Sequence, residues 1–107
     1  MTILLFSMIL VNMSNTIVNI QKTILPLLRP EGVLRSAIFG SFARGEENEN
    51  SDVDILVQFP SGKSLLDLVS LEHELENALG RKVDVVTYGS VNPRLKEYID
   101  RDAIQIL

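Results

Sequence analysis

Apolar residues recur along the chain in two rhythms, one helical and one extended, and the two alternate. From Ser14 or Asn15, residues Ile17, Ile20, Ile24, Leu27 and Leu28 fall at helical spacing, with Ser14 placed to cap the run. Pro26 sits late in it, so the helix is expected to bend or end near it, with Pro30 and Gly32 closing the region. Val33 to Phe39 reads as a strand interrupted by Arg35-Ser36, and Gly40 to Glu46 as a turn leading into a short helix. After the polar loop Glu47 to Ser51, the stretch Val53 to Phe59 is a second strand rich in Val, Ile and Phe. Pro60-Ser61-Gly62 breaks it.

Ser64 to Leu79 carries the strongest helical pattern, its apolar face supplied by Leu65, Leu68, Val69, Leu71, Leu75, Ala78 and Leu79, with Gly80 suited to the position after its end. Lys82 to Thr87 is a third strand, and Pro93 opens a further helix at its first turn. Ala103 to Leu107 is either the end of that helix or a last short strand. Alternation of this kind predicts an α/β (α+β) fold, a mixed β-sheet flanked by helices.

Length and composition narrow the picture. At 107 residues the chain is expected to form one domain over 14–107, with Met1–Met13 as an N-terminal extension. That extension is uncharged and mostly apolar, so it lacks the basic start of a secretory signal, and it is shorter than the ~20 residues of a spanning helix. It reads either as a packed terminal element or as sequence ahead of a true start at Met8 or Met13. A hydrophobic content of 46% supports a real core. The net charge of -4 argues against nucleic acid as a partner, because tight backbone binding needs clustered Lys and Arg. The absence of cysteine excludes disulfides and thiolate metal sites and fits a cytoplasmic protein without membrane attachment.

The chemistry is concentrated in Gly40-Ser41-Phe42-Ala43-Arg44-Gly45 and Ser51-Asp52-Val53-Asp54. Gly40 ends a strand and has no Cβ, so a ligand can approach its backbone closely. Ser41 starts a short helix where free N–H groups favour phosphate, and Arg44 lies one turn further on. Taken alone, a Gly-Ser turn is common and is weak evidence of a phosphate site. Asp52 and Asp54 stand at a strand start and face the same way, with Cα atoms about 6.5–7 Å apart. Such a pair can converge on hard cations, and magnesium prefers carboxylates together with water and substrate phosphates. Two metals would stabilise both the attacking and leaving oxygens of a phosphoryl displacement. The plainer alternative is a solvated pair at a turn. It fits poorly with the apolar Ile55-Leu56-Val57 that follows, because like charges drawn toward a core repel unless a cation joins them. Asp84 interrupts the apolar third strand; it could reach the same site and accept a proton, or simply face solvent.

In order and spacing, Gly40-Ser41, Asp52-Val53-Asp54 and Asp84 resemble the DNA polymerase beta-like nucleotidyltransferase superfamily, over about Val33 to Thr87. The match is best to its minimal nucleotidyltransferase (MNT) branch, whose Gly-Ser-x-Ala-Arg-Gly and Ser-Asp-x-Asp forms are both present in full. The resemblance implies a polymerase beta palm-like core and transfer of a nucleoside monophosphate, AMP from ATP, to a hydroxyl with magnesium, two ions being expected. Ser41, Gly40 and Arg44 would hold the phosphates, Asp52 and Asp54 the metals, and Asp84 would complete the metal site or act as base. It further implies an antitoxin role, with a HEPN-domain toxin as partner and a tyrosine as acceptor. Larger relatives carry an acceptor-recognising domain, and the stretch 88–107 after the third strand leaves that task to another chain. Two other functions stay open: an antitoxin that acts by binding alone, and a transferase for small molecules such as aminoglycosides. Self-association into a homo-oligomer is also open. His73, Lys63 and the acidic run Glu46, Glu47, Glu49 read as solvated surface, and the basic, amphipathic stretch Arg94, Lys96, Tyr98, Arg101 as a surface facing a partner or ATP.

Overall fold

The computed structural model describes residues 15–107; the extension Met1–Met13 and the capping residue Ser14 lie outside them. Helix α1, Asn15–Leu28, buries Ile17, Ile20, Ile24 and Leu28 along one stripe. It runs through Pro26 and ends two residues on at Leu28, near the proline as expected. Pro26 is exposed, so the carbonyl it leaves without a helical donor meets water. Strand β1, Arg35–Phe39, follows. Ser36 within it is fully buried, and its hydroxyl donates to the Leu56 carbonyl at 2.7 Å. The polar interruption is thus half core, because the hydroxyl has a backbone acceptor.

The short helix α2, Gly40–Arg44, leads to strand β2, Val53–Gln58. Helix α3, Leu65–Leu79, opens with Asp67 accepting from the Ser64 N–H at 2.8 Å, half of a capping box. Strand β3, Val83–Thr87, a turn of 3₁₀ helix at Tyr88–Ser90, helix α4, Pro93–Asp102, and strand β4, Ile104–Gln105, complete the order. Of the two readings of the C-terminus, the short strand is the one that forms.

The expected mixed sheet is present, in the order β3-β2-β1-β4. β1 runs antiparallel to β2 and β4, and β3 parallel to β2. Register and the two-residue pleat divide the side chains into two sets. Ile38, Ile55 and Val85 form one row, joined by Val53, Val57 and Val83 in a core completed by α1 and α3. The opposite face carries Ala37, Leu56 and Val86 as one row and Phe39, Asp54 and Asp84 as the next. α4 links the two edge strands and crosses this second face, where Ile99 and Ala103 line a cavity with Ala37 and Leu56. The rest of that face is left for the Phe39–Asp54–Asp84 row. Among the described residues no helix is long and apolar enough to cross a membrane.

The apolar face of α3 is narrower than its sequence pattern. Leu71 and Leu75 are buried, whereas Leu65 is 74% and Val69 43% exposed, because the first turns of α3 reach past the core and border a cleft instead. Leu75→Ala is therefore expected to cost roughly 3 kcal/mol of folding stability, and Leu66→Ala, at a 78% exposed position, less than about 0.5 kcal/mol. Urea denaturation of both variants checks this; similar losses would show that α3 is seated differently.

Candidate active site

The centre of the site is set by strand pairing. Phe39, Asp54 and Asp84 are register partners across β1, β2 and β3, so two carboxylates from neighbouring parallel strands stand side by side. Asp54 is half-buried between buried Val53 and Ile55. Burial pushes its pKa from 3.8 up to about 6, the charges of Asp84 and then Asp52 add to the rise, and Arg44 opposes it.

Gly40 makes this position possible. Its φ is +73°, in the left-handed region, and a Cβ built on it would overlap the Asp54 carboxylate. The glycine that ends β1 thus leaves the space that the Asp54 side chain fills. Ser41 and Arg44 follow on α2, which ends at Gly45 with φ +70° and the Glu46 N–H bonded to the Ser41 carbonyl at 2.9 Å. Arg44 pairs with Glu46 at 3.1 Å on the surface.

Asp52 stands apart from the other two. It precedes β2, and its carboxylate lies 3.8 Å from Lys82 Nζ, both groups being exposed. Among the described residues no three His, Cys, Asp or Glu side chains close into a metal site by themselves. The groups that could hold a divalent cation are Asp54 and Asp84, with Asp52 at the rim. The donor chemistry fits magnesium, which takes few protein carboxylates and completes its shell with water and phosphate oxygens. The raised pKa of Asp54 fits as well, since a cation there offsets the repulsion among the three carboxylates.

Several contributors were not visible in the sequence. Arg81 donates to the Ser51 carbonyl at 3.3 Å and lies over the Phe42 ring at 5.0 Å, tying the start of β2 to α2. Lys82 sits beside Asp52 only because β3 pairs with β2 in parallel, starting from Val83 opposite Val53. Glu47 is no free surface residue: it is half-buried, and its Oε2 is buried with no hydrogen bond. His73 is exposed, as expected. Lys63 bonds Glu31 at 2.8 Å and lines a cleft of about 770 Å³, which lies at the far ends of β2 and β3 from the aspartates.

Residues 18–106 match the nucleotidyltransferase domain family. A Methanocaldococcus jannaschii protein with a provisional protein adenylyltransferase name is 54% identical over 88 residues, covering 82% of this chain and 95% of its own length. A solved structure with the provisional description of minimal nucleotidyltransferase is 43% identical at a TM-score of 0.72, covering 83% of this chain and 91% of its own. A crystal structure of a toxin–antitoxin with AMP-PNP contains a chain 27% identical at a TM-score of 0.73, covering 81% of this chain and 72% of its own.

Two outcomes follow from the packing at Asp54. A carboxyl whose native pKa is raised favours folding while neutral, so that stability is full below 3.8 and is lost as the pH rises through about 6. In EDTA at pH 7, Asp54→Asn is expected to stabilise the protein by about 1 kcal/mol or less, after allowance for screening at a part-exposed group, and the gain should vanish near pH 4. Thermal unfolding at both pH values reads this; a loss of stability at pH 7 contradicts it. Gly40→Ala should cost roughly 2–3 kcal/mol, from left-handed strain and the collision with Asp54, against about 1 kcal/mol for Gly45→Ala, whose added Cβ meets nothing within 4 Å.

Proposed function

Because the chain belongs to the nucleotidyltransferase domain family and is a nucleotidyltransferase, we propose that it transfers AMP from ATP to a hydroxyl of a protein partner, a HEPN-domain toxin, and so acts as its antitoxin in the cytoplasm. The observation that carries the reading is the Asp54–Asp84 pair on adjacent strands, with Gly40 opened to make room for it. The partner is supported by the likeness to a chain of a toxin–antitoxin structure with AMP-PNP, and by the full Gly40 to Gly45 and Ser51 to Asp54 motifs.

In this reading residues 14–107 are one catalytic domain. Ser41 and Arg44 hold the terminal phosphates of ATP, the hydroxyl by donating and the guanidinium through its fork. Gly40 makes the room in which Asp54 stands beside the phosphates. Asp54 and Asp84, with Asp52, hold magnesium, expected as two ions; when bound, the metal offsets charge developing on the attacking and leaving oxygens. The acceptor hydroxyl bonds to the α-phosphorus, the bond to the β-phosphate oxygen breaks, and pyrophosphate departs. Asp84 completes the cation site or takes the acceptor's proton.

Incubation with α-labelled ATP, magnesium and the HEPN partner tests this. Label is expected on the partner and should fall on the order of 10²–10³-fold in rate with Asp54→Asn, a loss comparable to removing one charge-stabilising group. Full inhibition of the partner with no label on any protein would replace this reading with an antitoxin that acts by binding alone. Label on a low-mass product without the partner would point to a small-molecule acceptor.

A further inference from the structure

Between α2 and α4 lies a cavity of about 190 Å³ whose α4 wall none of the roles above uses. Phe39, Gly40 and Arg44 line one side, and Leu95, Tyr98 and Asp102 of α4 the other. Its size is below the roughly 300–1,000 Å³ of sites that enclose a whole drug-sized ligand, so it takes a single ring system and not a nucleotide. Its walls are mainly carbon and aromatic, which suits a ring and not a polyphosphate. Gly40 belongs to this cavity and also abuts the Asp54 carboxylate, so the cavity continues directly from the carboxylate row.

We propose that this cavity receives the adenine base of ATP, with Tyr98 as a stacking shelf and Asp102 accepting a hydrogen bond from the exocyclic amine. The inference deepens the nucleotidyl-transfer reading of the same site and rests on it. Leu95 and Tyr98 are 55% and 57% exposed although both are large and apolar, and with Asp102 they fall at i, i+3 and i+7 on one face of α4. Neither is packed in the core; the Tyr98 ring carries the Arg101 guanidinium 5.2 Å from its centroid, and a base would stack on the ring in its place or opposite it. Among the described residues the Asp102 carboxylate has a 3.4 Å contact to the neighbouring Arg101, which leaves acceptor capacity for a ligand. Adenine presents a donor at its six-position where guanine presents an acceptor, so a carboxylate there favours adenine and repels guanine. α4 is thereby the wall that selects the base, while Ser41 at the start of α2 holds the phosphates.

Equilibrium binding of ATP, GTP and inorganic triphosphate, each with magnesium, tests the assignment in the full chain and in Tyr98→Ala, Tyr98→Phe and Asp102→Asn. Base stacking is lost in Tyr98→Ala, so ATP should bind roughly tenfold more weakly, and Tyr98→Phe should restore most of the affinity. Asp102→Asn should narrow the preference for ATP over GTP. Inorganic triphosphate should bind all four proteins alike. Unchanged ATP affinity and ATP-to-GTP ratio in both Tyr98→Ala and Asp102→Asn would overturn the base pocket, as would a parallel loss of inorganic triphosphate, which would mark the cavity as a phosphate site. If none of the three ligands binds even the unaltered chain, the nucleotidyl-transfer reading itself fails.

Discussion

The arrangement depends on a carboxylate held against a glycine. Asp54 sits between Val53 and Ile55, which are fully buried, and its oxygens fill the volume that a Cβ on Gly40 would need. Beside it on the next strand is Asp84, so two negative charges share the rim of a hydrophobic sheet. Such a pair costs free energy when no cation is near, as the rise of the Asp54 pKa to about 6 records. A fold chosen for stability alone has no need of it.

The surrounding elements keep that pair in place. The core made by α1, α3 and the inner rows of the sheet fixes the register of β2 against β1 and β3, and the register fixes which side chains meet Asp54. A slip of β2 by one residue would send Asp54 into the core and away from Asp84. Arg81 ties the start of β2 to α2, and the buried Ser36 hydroxyl bonds across to Leu56, so the strands that carry the row are linked by polar contacts as well as by packing. α4 closes the lower part of the open face and leaves the row itself accessible beside Tyr98 and Leu95.

Much of this was legible in the sequence. The helical and extended rhythms give every long element within a residue or two, because burial on one side of an element leaves a periodic trace. The motif residues Gly40, Ser41, Asp52, Asp54 and Asp84 stand out as polar or small residues set into apolar strands. Other features were hidden, since they depend on strand pairing and not on spacing. The spacing of Asp52 and Asp54 places them on one face, but only pairing shows that Asp84 is the near neighbour and that Asp52 leans to Lys82. Nothing in Gly40-Ser41 reveals that the glycine makes room for a carboxylate on the next strand. The apolar face of α3 was overestimated at Leu65 and Val69, because a helical pattern does not say how far the sheet beneath it extends.

The central claim is that the carboxylate row becomes a nucleotide site when a divalent cation joins it. Calorimetric titration with a non-hydrolysable ATP analogue, with magnesium and with EDTA, tests it most directly, in the unaltered chain and in the Asp54→Asn, Asp84→Asn double variant. The account predicts that magnesium strengthens binding at least about tenfold in the unaltered chain, the 1.4 kcal/mol equivalent of one modest electrostatic contact, and that the double variant loses this gain. Equal affinity with and without magnesium, or a gain that survives loss of both carboxylates, would contradict it.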